Sequence, residues 1–306
     1  MTQHVPRTHP ASIAHAQLAQ AVQSAGATAE APGLVRLALP TPTLPPATTT
    51  NHYFVGSRRC VLVDPATPER KSQDRLVALA AALQTAGFRL EALVLTHHHR
   101  DHVGAATELA ARMGLPVRAH AITAELLAGE VRVDEWIADG DVVAEDAEGG
   151  VWRALHTPGH APGHLVLQQA GSGGMVAGDM VAGEGTILID PRDGRMSDYL
   201  ASLDKMAKHG ATFLAPAHGP GLTDGQAVLA HYRSHRLARE ARVETALRQA
   251  CVREPWVAAD ALLPTAYGDV SRLVWPLALR SMRSHLEHLR ELGRAQTDGQ
   301  RWQSLV

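Results

Sequence analysis

The stretch Thr96-His97-His98-His99-Arg100-Asp101-His102 packs four imidazoles and a carboxylate into seven residues. It follows Ala92-Leu93-Val94-Leu95, an apolar run that reads as a short buried strand. Imidazoles and carboxylates at this spacing suit zinc, iron or manganese, and imidazole favours zinc and iron. In an extended segment, alternation sends His97 and His99 to one side. A helix expected over Asp101–Arg112 would aim Asp101 and His102 from its first turn at a second point, where an aspartate also complements the helix N-terminus. The plain alternative is a solvated polar turn before a helix, and the rest of the chain weighs against it.

Three more polar residues stand where strand candidates end. His160 closes the turn His156-Thr157-Pro158-Gly159-His160, Asp179 closes Met175-Val176-Ala177-Gly178-Asp179, and His218 follows Phe213-Leu214-Ala215-Pro216-Ala217. Loops of a layered α/β fold gather functional groups at one edge in this way. A single strand-end histidine is more often structural, but a series of such ends after H-x-H-x-D-H reverses that expectation.

On these residues the sequence resembles the metallo-β-lactamase-fold hydrolase superfamily, over about Gly33–Leu222 and in all five of its ordered motifs. Asp64, closing Cys60-Val61-Leu62-Val63-Asp64, matches the first motif, an aspartate that braces a metal-binding histidine. The resemblance implies an αββα four-layer sandwich with two divalent metal ions, zinc foremost, with iron or manganese as alternatives. It implies that His97, His99 and His160 hold one ion, that Asp101, His102 and His218 hold the other, and that Asp179 bridges them. Two such ions lower the pKa of a shared water, and the resulting hydroxide attacks a carbonyl carbon or a phosphorus. Asp101 would take part in proton transfer as the catalytic residue. His98 is expected to face away, and His164 either lines the site or packs. The shape of the pocket is expected to depend on Tyr53, Phe54, the Glu184–Ile189 loop and the tail.

The elements that must position these residues are readable from the punctuation of the chain. Strands are expected at Leu34–Leu39, His52–Val55, Cys60–Val63, Pro116–Ala119, Val142–Ala144, Val151–Leu155, His164–Leu167, Gly174–Ala177 and Thr212–Leu214. Helices are expected at His15–Ser24, Gln73–Ala86 and Ser197–His209. Beyond Leu222 the pattern turns helical, with Asp224–Cys251, Val257–Leu263 and Val270–Leu292, and closes on a hairpin around Asp298-Gly299. The expected division is an N-terminal extension over 1–32, a catalytic domain over 33–222 and a winged-helix-like domain over 223–306.

That tail narrows the resemblance to the β-lactamase-like protein 2 group, whose animal members are endoribonucleases. From His231 to Val306 there are 12 arginines and 8 acids, a local +4 against −6 for the preceding residues. A winged helix with a basic face suggests nucleic acid, and a dimerisation or substrate-capping module is the plainer reading. Trp256, Trp275 and Trp302 are expected to anchor its docking. The expected substrate is a carboxylic ester or thioester, of the acyl-CoA, acyl-glutathione or lactone kind. Single-stranded RNA is the alternative, and a non-hydrolytic iron enzyme is the third reading. Only 38 residues separate Asp179 from His218, too few for the large insertion of nucleic-acid-processing β-CASP relatives.

Composition fits a water-soluble enzyme. The 306 residues are 45% apolar with a formal charge of −2, so no global field draws the chain to nucleic acid or to anionic membrane. No apolar run approaches the roughly 20 residues of a membrane span. The two cysteines, Cys60 and Cys251, are expected to be reduced core residues, and the chain is expected to be cytoplasmic with no membrane partner and a homodimer as one arrangement. Met1–Ala29 lacks the continuous apolar core of a secretory signal.

Overall fold

The computed structural model describes residues 10–306, with side chains from Gln17 onward. One sheet has seven strands in the order β1 (Thr28–Ala31), β2 (Leu34–Pro40), β3 (Thr49–Val55), β4 (Cys60–Val63), β5 (Leu90–Val94), β6 (Val117–Ala119) and β7 (Glu135–Trp136). The pairs from β1 to β4 are antiparallel and those from β4 to β7 are parallel. The second sheet has six strands: β8 (Val142–Glu145), β9 (Val151–His156), β10 (Leu165–Ala170), β11 (Gly174–Gly178), β12 (Phe213–Pro216) and β13 (Leu222–Thr223), in sequential order across the sheet. Only β11 and β12 pair in parallel.

The strands read as nearly unbroken apolar runs because both of their faces are buried. In β4, Val61 and Val63 point between the sheets, while Cys60 and Leu62 point outward under helices. In β10 and β11, Leu165, Leu167 and Val176 fill the space between the sheets, and Val166, Met175 and Ala177 face the other way. The first sheet's outer face is covered by α1 (Pro10–Ala25), α2 (Arg70–Thr85) and α4 (Ala106–Met113), through Val22, Leu76, Leu79, Leu83 and Leu109. The second is covered by α6 (Met196–Lys208) and the start of α7 (Gly225–Cys251), through Tyr199, Leu203, Met206 and Leu229. The result is the αββα sandwich. Each methylene buried in these layers contributes about 0.8 kcal/mol, so they supply most of the driving force.

Several local expectations need correction. The helix expected over Asp101–Arg112 is two pieces, α3 (Arg100–Val103) and α4, interrupted at Gly104-Ala105. Gly104 is required there, because a Cβ would meet the Ala66 carbonyl oxygen at 2.5 Å. Helix α5 (Ala121–Leu126) and the edge strands β1, β7 and β13 are too short to announce themselves by periodicity. Thr28–Ala31, expected in the extension, forms β1 against β2.

The C-terminal part also departs in detail. Val257–Leu263 is not a helix: Val257–Ala258 form β14, followed by a 3₁₀ turn and α8 (Leu263–Ala266). Strand β14 pairs with β16 (Arg301–Ser304), which pairs with β15 (Ala295–Thr297) around Asp298-Gly299. Helix α9 begins at Trp275, not Val270, and runs to Glu291. Trp302 is a core residue of this module, packed with Leu247, Met282 and Leu286, and Trp275 packs against the same cluster. For these two tryptophans the docking role is replaced by other contacts. Helix α7 runs through both cores, Ser284 donates to the Ile189 carbonyl, and Arg280 pairs with Asp190. No described helix is long and apolar enough to cross a membrane. Cys60 and Cys251 are free thiols.

Candidate metal centre

Each functional side chain sits just past the end of a strand, and all of these ends lie on one rim of the sandwich. Asp64 follows β4, the segment from Thr96 to His99 follows β5, His160 follows β9, Asp179 follows β11 and His218 follows β12. The turn at His160 depends on Gly159, whose φ is +136° and whose Cβ would strike the Tyr199 backbone at 2.3 Å. Pro158-Gly159 is therefore what brings His160 down against α6.

Three imidazoles form one group. His99 Nδ1 lies 3.0 Å from His97 Nε2 and 3.0 Å from His160 Nε2. A second group joins Asp101, His102 and His218, with His218 Nε2 3.6 Å from Asp101 Oδ2. The Asp179 carboxylate stands between them. Its Oδ2 is 3.3 Å from His160 Nε2, and its Oδ1 is 3.5 Å from His102 Nε2 and 3.6 Å from His218 Nε2. Ligand atoms of His97, His99 and His160 lie within 4.8 Å of one another, as do those of Asp101, His102 and His218.

The far nitrogen of every ring is held by an oxygen. His102 Nδ1 donates to Asp64 Oδ2 at 2.8 Å, and His160 Nδ1 to the Leu188 carbonyl at 2.8 Å. His218 Nδ1 donates to the Thr49 carbonyl at 3.0 Å, and His99 Nε2 to Asp193 Oδ2 at 2.5 Å. Thr96 Oγ1 donates to Asp64 Oδ2, which leaves that hydroxyl oxygen free to accept from His97 Nδ1 at 3.0 Å. Such partners fix the tautomer and turn each ring's lone pair inward. Asp64 manages three contacts because its backbone is left-handed, with φ of 52°, a conformation that Asp tolerates and that here aims both oxygens at the next loop.

The donor set fits a divalent metal pair. Nε2 of His102 and Oδ1 of Asp179 are buried with no hydrogen-bond partner, a cost that a cation between them would remove. Imidazole nitrogens facing one another at 3.0 Å are likewise poor neighbours unless something electrophilic lies between them. Burial would lower His102, but the Asp179 and Asp64 carboxylates outweigh it and raise the ring well above its ordinary value, so positive charge is favoured at this point. Burial would raise Asp179, but His102, His160 and His218 outweigh it and hold its carboxyl well below the usual range. Burial holds His97 well below its ordinary value and lowers His160 to about 4, so both rings present neutral nitrogen.

All eight residues singled out from the sequence meet on this rim. Four contributors were not legible in advance. Asp193 lies 94 positions from His99 and carries no motif. Thr43 donates to Asp101 Oδ2 from a proline-rich loop, and the Thr49 and Leu188 carbonyls act through backbone alone. His164 is a positioning residue: its Nε2 accepts from the Asp179 backbone N–H at 3.1 Å, and its Nδ1 meets Thr157 Oγ1. His98 turns away from the cluster, with Nε2 3.3 Å from Asp193 Oδ1. Tyr53 and Phe54, expected to shape the pocket, are fully buried between the layers.

The rim opens into a cavity of about 460 Å³, floored by His99, Asp101, His160, Asp179 and His218. Its walls are the Thr43–Ala47 loop, the Glu184–Asp190 segment and Arg280 of α9.

Comparison with known proteins agrees with this geometry. The model of the Metallo-beta-lactamase superfamily matches residues 45–218, more than half of the chain. That of the Beta-lactamase associated winged helix domain matches residues 258–302. An atrochrysone carboxyl ACP thioesterase of Aspergillus chevalieri is 33% identical over 201 residues, covering 65% of this chain and 61% of its own length. A beta-lactamase-like protein 2 homolog of Caenorhabditis elegans is 29% identical over 205 residues, covering 65% of this chain and 66% of its own. The chain thus spans less than two thirds of the length of either relative. The crystal structure of a metallo-beta-lactamase family protein from Thermus thermophilus superposes with a TM-score of 0.69 at 24% identity, covering 90% of this chain and all of that one. On the family match and the sandwich that carries it, the chain belongs to the metallo-beta-lactamase superfamily.

Proposed function

We propose that the chain is a dinuclear hydrolase of carboxylic esters or thioesters, with zinc as the resident metal. His97, His99 and His160 would hold one ion, Asp101, His102 and His218 the other, and Asp179 both. The observation that carries this reading is the Asp179 carboxylate, with one oxygen toward each histidine group. When bound, the ion pair supplies an acidified water and a Lewis acid for the substrate's carbonyl oxygen.

The remaining work falls to the chain. Asp101 lines the cavity floor and carries its own hydrogen-bond donor in Thr43, so it can take a proton from an attacking water and return it to the leaving group. Asp64 and Asp193 accept from the outer nitrogens of His102 and His99, which turns the inner nitrogens of both rings toward the metal positions. The cavity walls exclude bulk water from the reacting carbonyl and fix its approach.

The thioesterase named among the relatives supports an acyl substrate. Single-stranded RNA, the alternative, would need cations free to follow a phosphate backbone. Here Arg239 and Arg242 pair with Asp269, Arg280 with Asp190, Arg294 with Glu244 and Arg301 with Asp298, while Arg248, Arg253, Arg272 and Arg283 have no ion pair among the described residues, so the assay on RNA decides this alternative. The division into a catalytic part over 33–222 and a module over 223–306 gives the latter the role of a cap.

Metal analysis of the purified protein, joined to a parallel assay on thioesters, esters and single-stranded RNA, tests this. Two zinc per chain and acyl hydrolysis abolished by Asp101→Ala are expected. One iron per chain with thiol-dependent oxygen uptake would sink the hydrolase reading, and RNA cleavage without acyl hydrolysis would replace the substrate.

A further inference from the structure

We propose that an apolar cavity beside the metal centre, built jointly by the sandwich and the C-terminal module, receives the acyl chain of the substrate. The proposal rests on the ester or thioester reading above. This second cavity measures about 320 Å³. It borders the metal cavity along Leu44-Pro45 and Gly185–Leu188, residues that line both. Gly185 stands on that boundary, where a Cβ would come 3.1 Å from Pro46 Cδ and a φ of +84° disfavours any other residue. In the proposal, a carbonyl over Asp101 and Asp179 has its chain turned past this boundary into the second cavity.

The lining decides what kind of group belongs there. Pro46 and Ile187 come from the sandwich, and Val270, Val274, Leu277 and Ala278 from the module. Among the described residues, no carboxylate lines it. Its two guanidinium groups each hold at least one protein oxygen. Arg239 binds Asp269 and the Ala266 carbonyl and lies 4.4 Å over the Tyr267 ring, while Arg236 donates to the Ile187 carbonyl and sits over Tyr199. The rest of the lining is a continuous apolar wall, which suits a hydrocarbon. Leu44 and Val274, at 47% and 44% exposure, extend that wall outward.

Because half of the wall comes from the module, chain-length preference is a property the module confers on the rim's chemistry.

Calorimetric titration of the full-length, metal-loaded protein with straight-chain acids from butanoate to dodecanoate tests this without requiring turnover. The carboxylate is common to the series, so affinity should rise about fourfold per methylene until the cavity is full, then level or fall. Ala278→Phe should shorten the preferred chain while leaving butanoate affinity unchanged, and Leu277→Trp is a second filling variant should the first not fold. Equal affinity along the series, or the same length profile in a folded filling variant, would overturn the proposal. Hydrolysis of the matching thioesters separates the two readings. Turnover indifferent to chain length removes the cavity and leaves the hydrolase. Length-dependent binding of the acids with no acyl turnover leaves the cavity and removes the substrate reading.

Discussion

Asp193 Oδ2 lies 2.5 Å from Nε2 of His99, on the side of the ring opposite the Nδ1 that faces His97 and His160. The same carboxylate reaches His98 through its other oxygen. Burial would raise Asp193, but these two contacts outweigh it and hold the carboxyl well below its usual range. One aspartate from the turn before α6 thus orients a residue of the β5 loop.

Removing that brace should loosen the first metal position without unfolding the sandwich. Asp193→Ala is expected to weaken binding of one metal ion by about 10–100-fold, read by chelator competition, with Asp193→Asn in between. Unchanged competition in both variants would show that His99 is oriented by packing alone.

Asp179→Ala should remove the shared carboxylate. One metal is expected to be lost preferentially, turnover to fall by orders of magnitude, and the thermal midpoint of the metal-free protein to move little. Retention of two metals with near-native turnover would contradict the bridging role.

The module's buried Glu240 gives a pH dependence. Burial would raise it, but hydrogen bonds from His285 and His288 outweigh that and hold it at about 2, below its ordinary 4.5. Folded protein therefore binds fewer protons than unfolded protein between those values, so this contribution is full above about pH 4.5 and is lost as pH falls toward 2. His288 is raised by the same contact, so its contribution is full below 6.5 and fades as pH climbs past its raised value. Glu240→Gln should flatten both slopes in a set of denaturation curves taken across pH, at a cost of about 1.5–3 kcal/mol where the native pair is charged. Parallel slopes for native and variant would count against the pairing.

Trp302 packs within the module and not across its docking face, so its truncation should act on stability. Trp302→Ala is expected to cost about 3–5 kcal/mol in chemical denaturation while the metal content of the folded fraction stays native. Loss of metal in the still-folded fraction would place Trp302 at the interface instead.

The layered fold and the rim were legible in the sequence because both rest on short-range pattern. Strand β4 was bounded to the residue at Cys60–Val63, since a fully buried strand is an apolar run cut off by a polar residue, here Asp64. His97, His99, Asp101 and His102 announced themselves by local spacing, and His160, Asp179 and His218 by standing just past apolar runs. The three-dimensional arrangement alone decided the rest. Asp193, Thr43 and the Leu188 and Thr49 carbonyls meet their histidines or Asp101 across long sequence separations, and a backbone oxygen has no residue identity to read. The arginine excess of the tail reads as a basic face, and only the fold sets Asp190, 90 residues earlier, beside Arg280. Trp302 looked like an anchor because size is visible in a sequence and direction is not. Pattern along a chain fixes which faces are buried, but which buried faces meet is settled only when the sheets close on one another.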